Sequence, residues 1–337
     1  LSNIGRGQAA AMRGSFTMKA VYYHEHGAPE VLQFGELPVP EPAAGQVLVQ
    51  VGAAAVNPID RRLRSGELQE YISRTFPVVP GWDMAGRIVK VGEGVSDWQV
   101  GDDVMGLAFT WAIQHGTYAE YAPIDATAIT RKPAEFSFEQ AASLPLVSLT
   151  AWQALAEFGN LQAGQSVLIQ AGAGGVGSIA IPIAKHLGAK VYTTASKANF
   201  DYVLGLGADV AIDYTAEDYR SVIRQHEPDG VDLVLEALLG DEIALDAIRL
   251  AKTGGAVAYM NNEPPEMAEI AERNIKAEFL HHRPDGAMLA DLVALFQRGV
   301  LKIPEIDVMP LAEAVAAHHR SESGRTRGKV VLHIQDL

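Results

Sequence analysis

Four glycines crowd the stretch QAGAGGVG, Gln170 to Gly177, at a junction between strand-forming and helix-forming residues. Glycine weakens regular structure, so such a cluster means that the backbone has to approach something closely. Gly172, Gly174 and Gly177 satisfy the spacing G-x-G-x-x-G. In that pattern the first glycine makes a tight turn, the second admits a pyrophosphate, and the third lets a helix pack onto the strand. Gly175 and Val176 complete the helix start, where unpaired N–H groups and a partial positive charge favour phosphate. A lone match fits a purely structural turn equally well. The strand–helix alternation around this one selects dinucleotide binding.

The end of the next strand distinguishes the two nicotinamide cofactors. NAD sites usually carry an Asp or Glu there, about twenty residues on, to hold the ribose 2′-hydroxyl. Here the strand gives way to Ser196 and Lys197, whose hydroxyl and ammonium suit a 2′-phosphate. The nearest acid, Asp201, comes a helical turn too late. Tyr214, ending the third strand, can add a phenolic hydrogen bond. The expected cofactor is NADP(H); the alternative is that Lys197 is a solvated surface lysine.

These residues need a frame. SVLIQA (Ser166–Ala171) is an apolar run bounded by turn signals. Val176, Ile179, Ala180, Ile183, Ala184 and Leu187 then recur at helical spacing, and Gly188 is placed to end the helix. KVYTTA, VAIDY, VDLVLEA and GAVAYM read as strands, with ANFDYVLGLGA and EIALDAIRLAK as helices among them. The alternation predicts an α/β fold, a doubly wound parallel sheet with helices on both faces. Pro182 falls inside the first helix, where a kink or an early turn is expected. From Ala20 to Val104 the texture is different: short β-segments such as QVLVQVGAAAV (Gln46–Val56) and MAGRIVKVG (Met84–Gly92), broken by Gly and Pro, predict a small barrel or sandwich. After His281 come one helix, GAMLADLVALFQRG, and a closing strand, GKVVLHI, which periodicity assigns to neither region.

A chain of 337 residues exceeds one ordinary core, so two domains are expected. Its 41 acidic against 27 basic residues argue against nucleic acid or an anionic membrane as partner. There is no cysteine, hence no disulfide framework and no thiolate zinc site. No apolar run approaches the ~20 residues needed to cross a bilayer. The first seventeen residues read as a leader or tag remnant, with MKAVYYHEHG from Met18 as the natural start. A cytoplasmic protein acting on a small molecule fits this composition.

Taken together, AVNPIDRRLRSG (Ala55–Gly66), PVVPGWDMAGRIVKVGEGV (Pro77–Val95), GDDVMG, GTYAEY, LTAWQAL, AGAGGVG and the terminal GRTRGKVVLHI resemble the medium-chain dehydrogenase/reductase superfamily, specifically its zinc-free quinone oxidoreductase (zeta-crystallin-like) branch. The resemblance runs from Met18 almost to the end. It implies a GroES-like β-barrel catalytic domain over residues 18–143, an inserted Rossmann domain over 144–280, a return to the catalytic domain over 281–337, and a homodimer. Zinc enzymes of this superfamily place a cysteine, a His-Glu pair and a second cysteine around the metal. The matching positions here are Asn57, Trp82-Asp83 and Leu146, so no metal is expected. The adjacent pairs His281-His282 and His318-His319 read as surface or loop histidines.

Without a Lewis acid, the acceptor must form a delocalised anion on hydride addition. Quinones and α,β-unsaturated carbonyls do so, which makes the expected activity an NADPH-dependent, zinc-independent oxidoreduction. The resemblance places Asn57 and Thr150 by the nicotinamide, although Asn57 ahead of Pro58 is equally simple turn chemistry; Asn261 is a further cofactor-binding candidate. Related quinone reductases often carry tyrosine where this chain has Arg62. An arginine on a pocket wall favours an anionic or carbonyl-rich substrate, or else points to solvent. Asn57, Arg62 and Tyr71 are the catalytic-site candidates, Tyr71 and Trp111 the aromatic wall, and Trp82 a bulky residue that narrows the pocket. No general acid is assigned, and solvent can supply the proton. Two alternatives share the scaffold: an enoyl-thioester reductase, which the acidic balance disfavours, and a non-catalytic NADPH-binding regulatory protein.

Overall fold

A computed structural model describes residues 16–337. Strands β1 (Thr17–Tyr22) and β2 (Gln33–Pro38) pair antiparallel. The expected leader therefore overlaps β1 at Thr17, and residues 1–15 lie outside the described part. β3 (Gln46–Val56) is buried almost along its whole length, as its run of valine and alanine requires. It leads into α1 (Pro58–Ser65), β4 (Ser73–Val79), β5 (Asp83–Val91), β6 (Asp103–Leu107), β7 (Ala112–His115), β8 (Tyr121–Asp125) and β9 (Ile129–Arg131). Two helices follow, α2 (Phe138–Ala142) and α3 (Pro145–Trp152), the second running on into a π-helical turn, Gln153–Phe158.

Strand and helix then alternate through β10 (Ser166–Ile169), α4 (Gly175–His186), β11 (Lys190–Ala195), α5 (Phe200–Gly205), β12 (Val210–Asp213), α6 (Tyr219–His226), β13 (Val231–Glu236), α7 (Asp241–Leu250), β14 (Ala251–Tyr259), α8 (Ala268–Glu272) and β15 (Lys276–Phe279). The chain closes with α9 (Gly286–Gln297), β16 (Ile306–Pro310), α10 (Ala314–Glu322) and β17 (Lys329–His333).

β10 to β15 form a six-stranded sheet in the order β12-β11-β10-β13-β14-β15, every pairing parallel. Order reverses at β10, so a crevice opens at the carboxyl ends of β10 and β13, the place where doubly wound sheets bind ligands. The other large sheet runs β16-β17-β3-β5-β6-β9, with β8 also on β3. β17 lies antiparallel to β3, Val331 opposite Ala55, which places the closing strand that periodicity left open. Among the described residues no helix is long and apolar enough to cross a membrane.

Pro182 does not cut α4 short. The helix runs to His186 and closes with Gly188 at φ 83°, whose N–H bonds the Lys185 carbonyl at 3.0 Å. An interior proline costs about 3 kcal/mol. Ile179, Ile181 and Ile183 are all fully buried, and each returns about 1.5–3 kcal/mol. Tertiary burial wins.

Candidate active site

The glycine loop follows β10 directly. A Cβ on Gly172 would sit 2.0 Å from Thr193 Oγ1, and one on Gly177 would sit 2.4 Å from the Ala171 carbonyl. The fold itself requires both glycines. At Gly174 a Cβ would meet one atom, the Ala171 carbonyl at 3.3 Å, a tight contact but a much milder one than at Gly172 or Gly177. Gly174, Gly175, Val176 and Gly177 line a cavity of about 640 Å³, within the usual size of a small-molecule site.

Ser196 and Lys197 leave the end of β11, and Tyr214 leaves the end of β12. These strands are neighbours, with Ala195 opposite Asp213, so the three residues share one edge of the crevice. They lie outside the cavity lining. Lys197 makes no ion pair among the described residues; its Nζ rests 4.4 Å from the Phe200 ring centre. Tyr214 is 57% exposed.

The cavity floor is built from three residues that sequence brings from distant places. Asn57 caps α1, its N–H donating to the Asp60 carboxylate at 2.8 Å. Its side-chain Nδ2 donates to Asp83 Oδ2 at 2.8 Å, and its Oδ1 accepts from Lys329 Nζ. Lys329 also donates to Asp83 Oδ2 at 3.3 Å, while Leu146 N–H donates to Asp83 Oδ1 at 2.7 Å. All three side chains are buried. Burial pushes the Asp83 carboxyl up, against the pull of the Lys329 ammonium. Burial also lifts Asp60 to about 7, although it accepts from Asn57 N–H and the Tyr118 hydroxyl.

This arrangement corrects the expectation for Asn57. It lines the cavity, but its carboxamide is committed on both sides, so it acts as a structural clamp. Lys329 was not among the candidates. A lysine opening a strand ordinarily reads as surface, and its only sequence signal is the apolar run behind it. The floor does not fit a zinc ion. The positions offer one amide, one indole, one carboxylate and a leucine, and the Lys329 ammonium already stands among them. Among the described residues no group of three or more His, Asp or Glu is arranged to hold a metal.

Thr150 also lines the cavity, buried, with its hydroxyl oxygen unpartnered. Asn261 lines it too, and its N–H donates to Glu236 at 3.1 Å. Glu236, unassigned from sequence, ends β13 and also accepts from Met260 N–H and Leu238 N–H. One buried carboxylate thus shapes the loops after β13 and β14. Arg62 and Tyr71 stand at the outer wall, Arg62 3.4 Å from Glu67 and Tyr71 72% exposed. Trp111 is 56% exposed at the same rim, whereas Trp82 is fully buried deeper in.

Of the paired histidines only His318 departs from expectation: His281 and His319 are exposed, and His282 lies in the loop before α9. His318 is buried, its Nδ1 accepting from Arg64 at 2.7 Å and its ring edge-on to Tyr118. It packs between α1 and β17 because α10 turns that face inward. His282 lines the cavity, its Nε2 shielded and unpartnered.

Two family models match: "Alcohol dehydrogenase GroES-like domain" over residues 43–134 and "Zinc-binding dehydrogenase" over residues 206–332. The chain is 35% identical over 328 residues to the 2-methylene-furan-3-one reductase of Solanum lycopersicum, covering 94% of this chain and 79% of that protein. It is equally similar, with the same coverage, to the chloroplastic NADPH-dependent alkenal/one oxidoreductase of Arabidopsis thaliana. Its fold matches the quinone oxidoreductase structure from Coxiella burnetii at TM-score 0.84 and 35% identity, over 95% of this chain and 100% of that one. With its zinc-ligand positions held by Asn57, Trp82-Asp83 and Leu146, the chain belongs to the medium-chain dehydrogenase/reductase superfamily, in its zinc-free quinone oxidoreductase branch.

Proposed function

We propose that this protein is an NADPH-dependent, zinc-independent reductase of quinones or α,β-unsaturated carbonyls. The observation that carries the reading is one cavity bounded by both halves of such a reaction. Gly174 to Gly177 form one side, and Trp82, Phe109 and Trp111 the other. Family membership and the NADPH-dependent relative support it.

NADPH, when bound, supplies a hydride from its reduced nicotinamide ring. Gly172, Gly174, Gly175, Val176 and Gly177 hold its pyrophosphate on the N-terminus of α4. Ser196, Lys197 and Tyr214 take the 2′-phosphate, where the Lys197 ammonium gives the preference over NADH. Thr150 and Asn261 border the nicotinamide end. The apolar wall excludes water and aligns the acceptor, so positioning carries much of the catalysis. Arg62 and Tyr71 hold the outer part of the acceptor at the rim. A homodimer joined outside the cavity completes the proposal.

The test is a fluorescence titration with NADPH and NADH, followed by 1,4-benzoquinone, 9,10-phenanthrenequinone and a short enone, with and without a chelator. Selective NADPH binding and chelator-insensitive oxidation are expected. Binding without oxidation of any acceptor would overturn the catalytic reading, and turnover with enoyl thioesters alone would move the activity to the thioester class.

A further inference from the structure

Buried polar atoms in proteins nearly always find partners, and each exception calls for a reason. Trp82 Nε1, His282 Nε2 and Thr150 Oγ1 are three such exceptions, shielded from water and without a protein partner. All three residues line the same cavity. The Trp82 and His282 ring centres lie 6.2 Å apart, and Phe109 packs edge-on against both, at 4.8 Å and 5.9 Å. Leaving such groups unpaired forfeits the hydrogen bonds they would make in water. Packing alone would have been served by phenylalanine or leucine at these places.

The loop carrying His282 is held firmly. Gln153, in the π-helical turn after α3, donates from Nε2 to the Arg283 carbonyl at 3.0 Å and accepts at Oε1 from the Arg283 N–H at 3.0 Å. Arg283 then pairs with Glu157 through both guanidinium nitrogens, at 2.7 and 2.9 Å. The turn that follows the Thr150 helix thus fixes the position of the neighbouring imidazole.

We infer that Trp82 Nε1–H and His282 Nε2–H are a pair of hydrogen-bond donors for the carbonyl oxygen of the acceptor. The inference rests on the proposed reductase activity and names the residues that receive the developing charge. In an enone, hydride adds to the β-carbon, the C=C π pair shifts toward the carbonyl, and the oxygen becomes the enolate oxyanion. The oxidised cofactor leaves with one electron pair and one proton fewer, and solvent protonates the α-carbon. Two donors held in place by the surrounding packing stabilise the oxygen as its charge grows. Burial pushes the His282 imidazole down to about 4. It is therefore neutral near pH 7, a donor in its Nε2–H tautomer and not the source of the proton. A Trp N–H has no other role open to it, since indole only donates.

The experiment is steady-state reduction of a short enone by the full-length protein and by Trp82→Phe, His282→Phe and His282→Gln. Phenylalanine keeps a ring and removes the donor, whereas glutamine restores an N–H. Trp82→Phe and His282→Phe are expected to lower kcat about 10²-fold, the usual effect of one lost oxyanion donor. KM and the NADPH dissociation constant, read from cofactor fluorescence, should stay within about twofold. His282→Gln should recover about tenfold of the loss. Wild-type kcat in both phenylalanine variants would overturn the inference while leaving the reductase reading intact. A loss that appears in NADPH affinity, with no recovery in His282→Gln, would make the two residues structural and overturn it as well. A wild-type protein that reduces neither enone nor quinone would overturn the reductase reading and the inference together.

Discussion

Lys329 and Asp83 stand 246 positions apart in the chain and meet with Nζ 3.3 Å from Oδ2, their side chains only 4% and 0% exposed. The pair ties β17 to the start of β5 directly beneath the glycine loop, where the Lys329 side chain also lies against Gly175. Asn57 Oδ1 accepts from the same ammonium, so a cation and its counter-charge are already paired at the floor of the site.

Removing one partner strands the other. Lys329→Met leaves the Asp83 carboxylate buried and unpaired, which should cost about 3–5 kcal/mol of stability in urea denaturation. Adding Asp83→Asn to it should recover much of that loss, because the uncompensated charge is gone. Equal stability of Lys329→Met and wild type would show that the pair contributes nothing.

The glycine loop should separate fold from binding. At Gly174 a Cβ meets only the Ala171 carbonyl, at 3.3 Å, so Gly174→Val is expected to melt closer to the wild-type temperature than Gly177→Ala and to lose NADPH binding. Gly177→Ala pushes a methyl to 2.4 Å from the Ala171 carbonyl. Overpacking of that kind should cost about 1–3 kcal/mol or more. Thermal melts with and without NADPH read both effects; a Gly174→Val protein that binds NADPH normally would refute the loop assignment.

Lys197 is the test of cofactor choice. Lys197→Ala should weaken NADPH by about 1.5–3 kcal/mol, the range of a charge-assisted hydrogen bond, and leave NADH nearly unchanged. Paired fluorescence titrations decide it, since an equal loss for both cofactors would mean that Lys197 does not read the 2′-phosphate.

Asp60 should leave a signature in stability against pH. Burial raises its pKa to about 7 from an unfolded 3.8, so between about pH 4 and 7 the folded state holds a proton that the unfolded state has released. Its contribution is full below pH 4 and is lost as pH rises through 7, by up to about 4 kcal/mol. His318 works the other way: burial pushes it down to about 3, so its contribution is lost as pH falls below about 6.5. The stability difference between Asp60→Asn and wild type isolates the first effect, and it should climb in favour of the variant from pH 4 to pH 7. A flat difference across that window would show that Asp60 ionises normally.

Much of this molecule is legible locally. The G-x-G-x-x-G spacing, the helical recurrence from Val176 to Leu187 and the alternation of strand and helix after Ser166 all depend on residues within a turn or two of each other. Periodicity and glycine chemistry act at that range, so the doubly wound sheet and the tight glycine turn between its strand and helix could be read from the amino acids alone. The absence of cysteine and the identities of Asn57, Asp83 and Leu146 likewise needed only the sequence. What the tertiary structure decided is which polar groups are buried, and by what. Lys329 reads as a surface charge until β17 inserts beside β3 and brings it to Asp83 and Asn57. His318 reads as one of an exposed pair until α10 lays it against Arg64 and Tyr118. His282 is held at the cavity where Gln153, 130 positions before Arg283, clamps the loop they share. The cost of burying a charge or a lone polar atom depends on partners supplied from elsewhere in the chain, and no local pattern records them.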